Sequence, residues 1–223
     1  MKKISKLSLI SLFIIVSGAG LCFYYFRAPH VEADYRVVAG QGKSGAVMMM
    51  LQSSDEERRE AFKSWAENQY FFQSEAEASK MLPFKLKLPK SAFCGELKGI
   101  YVSKEAMPEE RTVKVFYQDE VNGISLRAAW LPKCPNYEEN LKKDEELFKS
   151  GVYKSDKPFV AVRINGLQGF GVEPGYNFID GEKIPRPGFI SWWDQGLCYE
   201  LHGTKGEKGT SLQRLLEIAE SMY

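Results

Sequence analysis

The chain has 223 residues, of which 30 are Lys or Arg and 29 are Asp or Glu, so its formal net charge at pH 7 is +1. No run of basic residues interleaves with aromatic ones, so the charge pattern gives no electrostatic support for nucleic-acid binding. Aromatic residues make up 13% of the chain, which favours a dense, β-rich core.

The N-terminal segment reads as a membrane anchor. Residues 7–26 carry no charge, and as a helix they would span about 30 Å, the hydrocarbon thickness of a bilayer. Lys2, Lys3 and Lys6 precede this run and Arg27 follows it, so the positive-inside rule places the N-terminus in the cytoplasm. We therefore expect a single-pass protein of the cell membrane, in contact with the bilayer through this run and with its C-terminal domain outside.

Two other fates of this segment stay open. Small residues at Ser17 and Ala19 fit a cleaved signal peptide, although the apolar run continues well past them. Cys22 fits a lipidation site, except that Leu21 before it is not small. A mature chain beginning at Gly20 or at a lipidated Cys22 would lack the transmembrane anchor.

A glycine-rich stretch, VVAGQGKSGAVMMM, follows at residues 37–50. It looks like a phosphate-binding loop, but that motif requires a glycine where this chain has Val37. Gly45 also stands where the helix behind the phosphates should begin. We expect a turn between two short strands here, with no nucleotide site and no cofactor.

Three regions result from this division of the chain. Residues 1–27 form a cytoplasmic tip and anchor, residues 28–52 form a stem with a short hairpin, and residues 53–223 form the extracytoplasmic domain. In that domain, residues 51–72 are predicted to make a helix running in from the stem. Its inward positions are Phe62, Trp65, Gln69 and Phe72.

A second, short helix and two strands are predicted next. Ser74 and Glu77 make the capping box of the helix. Alternating apolar and polar residues predict strands at residues 84–88 and 96–104.

Three hairpins are predicted from their turn residues, Asn122-Gly123, Asn165-Gly166 and Asp194-Gln195-Gly196. In the first hairpin, pairing of Val121 with Ile124 gives one core face and one solvated face. The core face carries Val113, Val115, Tyr117, Leu126, Ala128 and Trp130, and the solvated face carries Lys114, Gln118, Glu120, Ser125 and Arg127.

Two more helices complete the domain. One runs over residues 136–151, with a capping box of Asn136 and Glu139 and a closing Gly151. The last begins with a capping box of Thr210 and Gln213. The sum is an α+β fold, an antiparallel sheet of six to eight strands built from hairpins, with helices packed on one face and one transmembrane helix in front.

Candidate site residues lie in the third hairpin. Trp193 is expected on the core face, so Trp192 and Cys198 should face the other way. Trp192 would then be an aromatic platform for a sugar, peptide or lipid, or a second packing layer. Cys198 and His202 lie four residues apart and share a strand face, but no second close pair of ligands supports a metal site. A Cys–His or Ser–His–Asp arrangement that uses His202 stays open.

Three cysteines lie beyond the predicted anchor, Cys94, Cys134 and Cys198. Because the number is odd, at most one pair can form a disulfide, and the sequence does not decide which.

Three stretches from Ser74 onward resemble an uncharacterised family. They are EAEASKMLPFKLKLPK, VKVFYQDEVNGISL, and SWWDQGLCYELHG with LLEIAESM. The family is the domain of unknown function at the extracytoplasmic end of single-span Gram-positive membrane proteins, some of them anti-sigma factors and lipoproteins. The resemblance spans about two-thirds of the chain and implies a fold, with no catalytic residues to transfer. Only residues 1–6 precede the predicted anchor, so binding of a sigma factor is not expected.

These observations favour a membrane-tethered, non-enzymatic interaction or sensing domain of the Gram-positive envelope, with an envelope protein or a cell-wall component as its ligand. One alternative is a lipid or lipoprotein carrier, which would need an apolar cavity between sheet and helices. The other is an envelope hydrolase, which would need a cleft that joins His202 to a carboxylate and a nucleophile.

Overall fold

A computed structural model describes residues 55–119, 122–151, 155–179, 182–205 and 208–223. The predicted anchor, Cys22 and the stem hairpin lie outside the described residues. Within the described part of the chain, no helix is long and apolar enough to cross a membrane.

The described chain contains short helices and ten strands, all named here in chain order. The helices are α1 (Asp55–Ala66), α2 (Glu75–Ala78), α3 (Ser91–Cys94), α4 (Tyr137–Lys149) and α5 (Leu212–Glu220), with 3₁₀ turns at Ser79–Met81 and Pro108–Glu110. The strands are β1 (Gln69–Phe72), β2 (Leu97–Ser103), β3 (Thr112–Tyr117), β4 (Ile124–Trp130), β5 (Val160–Ile164), β6 (Leu167–Val172), β7 (Gly175–Ile179), β8 (Glu182–Arg186), β9 (Phe189–Asp194) and β10 (Leu197–His202).

Eight of the strands form one antiparallel sheet in the order β1-β2-β3-β4-β10-β9-β6-β5, and β7 and β8 form a separate hairpin. The pairing of β4 with β10 joins an N-terminal meander to a C-terminal one. The predicted α+β class and the antiparallel sheet are therefore confirmed. The order leaves β1 and β5 at the two edges of this sheet.

Helices lie on both faces of the sheet, so the prediction of one covered face is wrong. On the α5 face, Leu215 and Ile218 pack into a core with residues such as Ile190 and Leu126. On the opposite α1/α4 face, Phe62 of α1 contacts Tyr101 and Phe116 at ring-centroid distances of 5.5 and 5.2 Å. Tyr137 of α4 contacts Phe170 at 5.8 Å. Because aromatic side chains line both faces, each needs a cover.

The first predicted hairpin has the expected apolar face but a different turn. Tyr117 pairs with Ile124, so the loop is longer than the expected Asn-Gly pair. The Asp119 carboxylate accepts a hydrogen bond of 2.7 Å from the N–H of Asn122. The register moves by an even number of residues, so the apolar face is confirmed. The solvated face is not, because Arg127 is only 6% exposed.

In the third hairpin the turn is shorter than predicted, and the side chains of β9 lie on the faces opposite to those predicted. Gln195 and Gly196 alone form it, with φ of 49° and 89°, and Asp194 pairs with Leu197. A register change of one residue exchanges the two faces of β9, whereas Leu197, Tyr199 and Leu201 of β10 keep the core position predicted for them. Trp192 therefore lies opposite Tyr199 on the α5 face.

Trp193, expected on the core face with Tyr199, pairs instead with Cys198 on the α1/α4 face.

Some of the local predictions are confirmed and others are wrong. Helix caps at Ser74 and Asn136 and the Asn165-Gly166 turn are confirmed. The first helix ends at Ala66, and its predicted continuation forms β1. The strand predicted at residues 84–88 is wrong, because the chain bends at Phe84 and these residues form no strand. The cap of α5 is Ser211 and not Thr210, which bonds to Thr204 instead.

Candidate functional site

Trp192, the predicted aromatic platform, is fully buried. Its ring stacks on Tyr199 at a centroid distance of 5.2 Å, and its Nε1–H donates a hydrogen bond of 3.2 Å to the hydroxyl of Tyr223. The platform hypothesis is wrong for this residue, because the two-residue turn places the indole inside the α5-face core.

Cys198 and His202 share the α1/α4 face, as predicted, but they are far apart. Four residues along one strand correspond to about 13 Å, too far for a Cys–His pair or a shared metal ligand set. The thiol of Cys198 lies 3.7 Å from the hydroxyl of Ser191. The imidazole of His202 packs against Phe189 at 4.7 Å.

A buried ion pair lies between Cys198 and His202 on the α1/α4 face. Nη1 of Arg127 donates a hydrogen bond of 3.0 Å to Oε2 of Glu200, and the residues are 6% and 2% exposed. The pair forms across β4 and β10, which are distant in sequence. Burial lowers the pKa of His202 to about 4, although the Glu200 carboxylate opposes this shift. The imidazole is therefore neutral at pH 7.

The three described cysteines, Cys94, Cys134 and Cys198, are free thiols. Cys94 and Cys198 are buried and Cys134 is exposed. Burial raises the pKa of the Cys94 thiol to about 11, which makes it a poor nucleophile.

A cavity of about 170 Å³ opens beside the turn of the third hairpin. The polar side of this cavity contains an ion pair in which Nζ of Lys87 lies 2.6 Å from Oδ2 of Asp194. The hydroxyl of Tyr223 donates a hydrogen bond of 2.9 Å to the same oxygen. The Lys87 ammonium also lies 4.2 Å from the centre of the Tyr223 ring. These contacts hold Tyr223 against the sheet.

A larger groove of about 360 Å³ lies between α4 and the β5–β6 hairpin. Its lining combines apolar and charged side chains: Tyr137, Glu138, Leu141, Ala161, Val162, Arg163, Gln168 and Gly169. Glu138 and Arg163, an acid on α4 and a base on β5, form no ion pair within the described residues.

The backbone of β5 is open on its outer side. A two-residue turn makes its flanking residues, Ile164 and Leu167, a hydrogen-bonded pair. The alternation of antiparallel pairs then directs the N–H and C=O of Ala161 and Arg163 away from β6. Within the described residues no strand pairs with this side. Val160 at the same edge is 43% exposed.

Sequence reasoning found the β5–β6 hairpin but not this groove. The Asn-Gly turn is a local signal, whereas the position of β5 at the edge depends on the order of all the strands.

Asp144 on α4 gives a prediction about pH. Burial raises its pKa to about 6 from 3.8, so the folded state penalises its charged form above pH 6. Between pH 3.8 and pH 6 the folded state binds more protons at Asp144 than the unfolded state does. The contribution of Asp144 to the free energy of unfolding therefore rises as the pH falls through this range. Asp144→Asn should be more stable than the parent at pH 7.5, by on the order of 1 kcal/mol for a half-buried group.

Thermal unfolding at several pH values measures this difference, which should shrink towards pH 4. Glu145→Gln, on the exposed side of the same helix, is the control and should show no such gain. Equal stability of parent and Asp144→Asn at pH 7.5 would contradict the prediction.

No family model matches the chain, and searches of curated proteins and of solved structures give no match.

Proposed function

We propose that this protein is a membrane-tethered extracytoplasmic interaction domain, and that the groove beside β5 is its binding surface. The observation that carries the proposal is the open edge of β5, where unpaired backbone groups of Ala161 and Arg163 stand next to the groove. Edge strands bind extended chains through such groups, and neighbouring pockets supply specificity.

The sequence of β5 supports this role. Folded proteins usually protect an exposed edge with charged side chains, proline, a bulge or a covering element. β5 pairs with β6 without a bulge, has Arg163 as its one charged residue, and leaves the apolar Val160 and Ala161 exposed. An edge of this composition is suited to receive another strand.

The predicted anchor at residues 7–26 and the family resemblance support the extracytoplasmic location. The lipid-carrier alternative has less support, since large side chains such as Leu126, Ile190 and Leu215 fill the space between the sheet and α5. The hydrolase alternative is weakened by the distance between His202 and Cys198.

Cys134 provides a test of the topology. A membrane-impermeant maleimide added to intact cells should label this exposed thiol, because the domain faces outward. Cys134→Ser is the control and should abolish labelling, since Cys94 and Cys198 are buried and Cys22 lies in the predicted anchor. Labelling that requires cell lysis would contradict the proposed location.

Photo-crosslinking tests the binding surface itself. A photoreactive amino acid at position 163 should give a discrete adduct in intact cells, because that side chain lines the groove. The same group at exposed position 208 should give none. If position 163 reacts no more than position 208, the β5 groove is not an interaction surface.

A further inference from the structure

We infer that β5 binds β5 of a second copy of this chain, antiparallel, about a two-fold axis through Val162. This inference rests on the proposed function, because it names the partner of the same groove. It joins two eight-stranded sheets into one continuous sheet.

The backbone groups match under this symmetry. Ala161 of one copy then faces Arg163 of the other, and these are the residues whose N–H and C=O point outward. Each of the two equivalent pairs exchanges both hydrogen bonds, which is the closely spaced pair of an antiparallel ladder. Between these two hydrogen-bonded pairs, Val162 of one copy lies opposite Val162 of the other, in a non-hydrogen-bonded pair. No outward group of Ala161 or Arg163 is left without a partner.

The side chains match as well. On the α1/α4 face the small Ala161 lies beside the long Arg163, so the Arg stem has room. On the α5 face Val160 lies opposite Ile164, and the two Val162 side chains meet. β-Branched residues are favoured in strands, and cross-strand contacts between side chains stabilise a sheet; this pairing covers Val160, which is 43% exposed in one copy.

The charges of the groove are complementary to themselves. Within one copy, Ala161 and Glu138 line the same groove. Arg163 of the second copy lies beside Ala161 of the first, so it enters this groove and meets Glu138 there. The two-fold axis repeats this contact. Both charges lack an ion pair within one copy of the described chain, and the symmetric pairing gives each a partner. A second copy of this chain therefore supplies the partners for both charged residues of the groove, and no other protein is needed.

The surface is small, and the expected association is correspondingly weak in dilute solution. A stable interface usually buries about 1,200–2,000 Å², more than one strand and one groove provide. Confinement to a membrane raises the effective concentration of two copies and favours pairing. The test therefore uses the full chain in lipid vesicles.

Cysteine crosslinking tests the axis. In a full chain with Cys22→Ala and Cys134→Ser, Val162→Cys places two thiols on directly opposed residues, with Cα atoms about 4.5 Å apart. Mild oxidation should give a covalent dimer. Val160→Cys is the matched control, because its two copies lie about 13 Å apart in this register and should not crosslink.

Charge exchange tests the groove contact. Glu138→Arg alone and Arg163→Glu alone should each lower the yield of the position-162 dimer about fivefold, because like charges then meet. The double variant should restore it. Arg163→Pro should abolish the dimer while keeping β5 paired with β6, because the N–H it removes points outward.

The outcomes separate this inference from the function on which it rests. An equal yield of dimer at positions 160 and 162, or no recovery in the double charge variant, would overturn the two-fold pairing. A photo-adduct at position 163 with a mass other than two copies of the chain would overturn it and leave the proposed function standing. Absence of any adduct would overturn both.

Discussion

Arg127→Met is expected to lower the free energy of unfolding by about 3–5 kcal/mol, because it leaves the carboxylate of Glu200 buried without its ion-pair partner. Glu200 is only 2% exposed, and its Oε1 already lacks a hydrogen-bond partner within the described residues. Chemical denaturation of the detergent-solubilised protein measures the loss.

The double variant Arg127→Met/Glu200→Leu should recover most of this loss, since replacing a buried pair with apolar residues is often neutral or stabilising. The exposed pair of Lys143 and Glu139 on α4 is the matched control, and Lys143→Met should cost less than about 1 kcal/mol. If Arg127→Met lowers the free energy of unfolding by no more than Lys143→Met does, the ion pair of Arg127 and Glu200 is exposed to water and the prediction is wrong.

Trp192→Ala is expected to cost about 3–5 kcal/mol, as truncation of a fully buried aromatic side chain usually does. It removes the stack on Tyr199 and the hydrogen bond to Tyr223. Thermal unfolding followed by near-ultraviolet circular dichroism reports the change.

Trp193→Ala is the matched control, because Trp193 is only partly buried and packs at the margin of the two smaller clusters on the other face. Its cost should be clearly lower than that of Trp192→Ala. The order of the two losses tests the register of the third hairpin. If Trp193→Ala costs more, the longer turn expected from the sequence is correct and the register described here is not.

The features that the sequence predicted correctly are those encoded by neighbouring residues. Ser74 with Glu77 and Asn136 with Glu139 start helices, because each cap requires only a side chain and an N–H three residues away. Asn165-Gly166 makes a hairpin because both residues accept positive φ. The alternation in β3 and β4 identified their apolar face even though the turn between them differs.

The length of the turn in the third hairpin was predicted wrongly from the sequence. This length determines whether Trp192, the candidate platform, is exposed or buried. Two turns are compatible with Asp194-Gln195-Gly196, and they differ by one residue in register. The chain selects the shorter one, since it buries Trp192 against Tyr199 and places Asp194 within reach of Lys87 and Tyr223. Those partners come from distant parts of the chain, so no window around the turn contains the information.

The sequence by itself determined the α+β class, the hairpins, the helix caps at Ser74 and Asn136, and the apolar face of the first hairpin. Only the tertiary structure decided which strands lie at the edges, that both faces are covered, and that Arg127 meets Glu200 inside the protein. The reason is physical. Caps and turns depend on contacts within a few residues, whereas strand order, buried charge pairs and the open edge of β5 depend on which distant segments pack together.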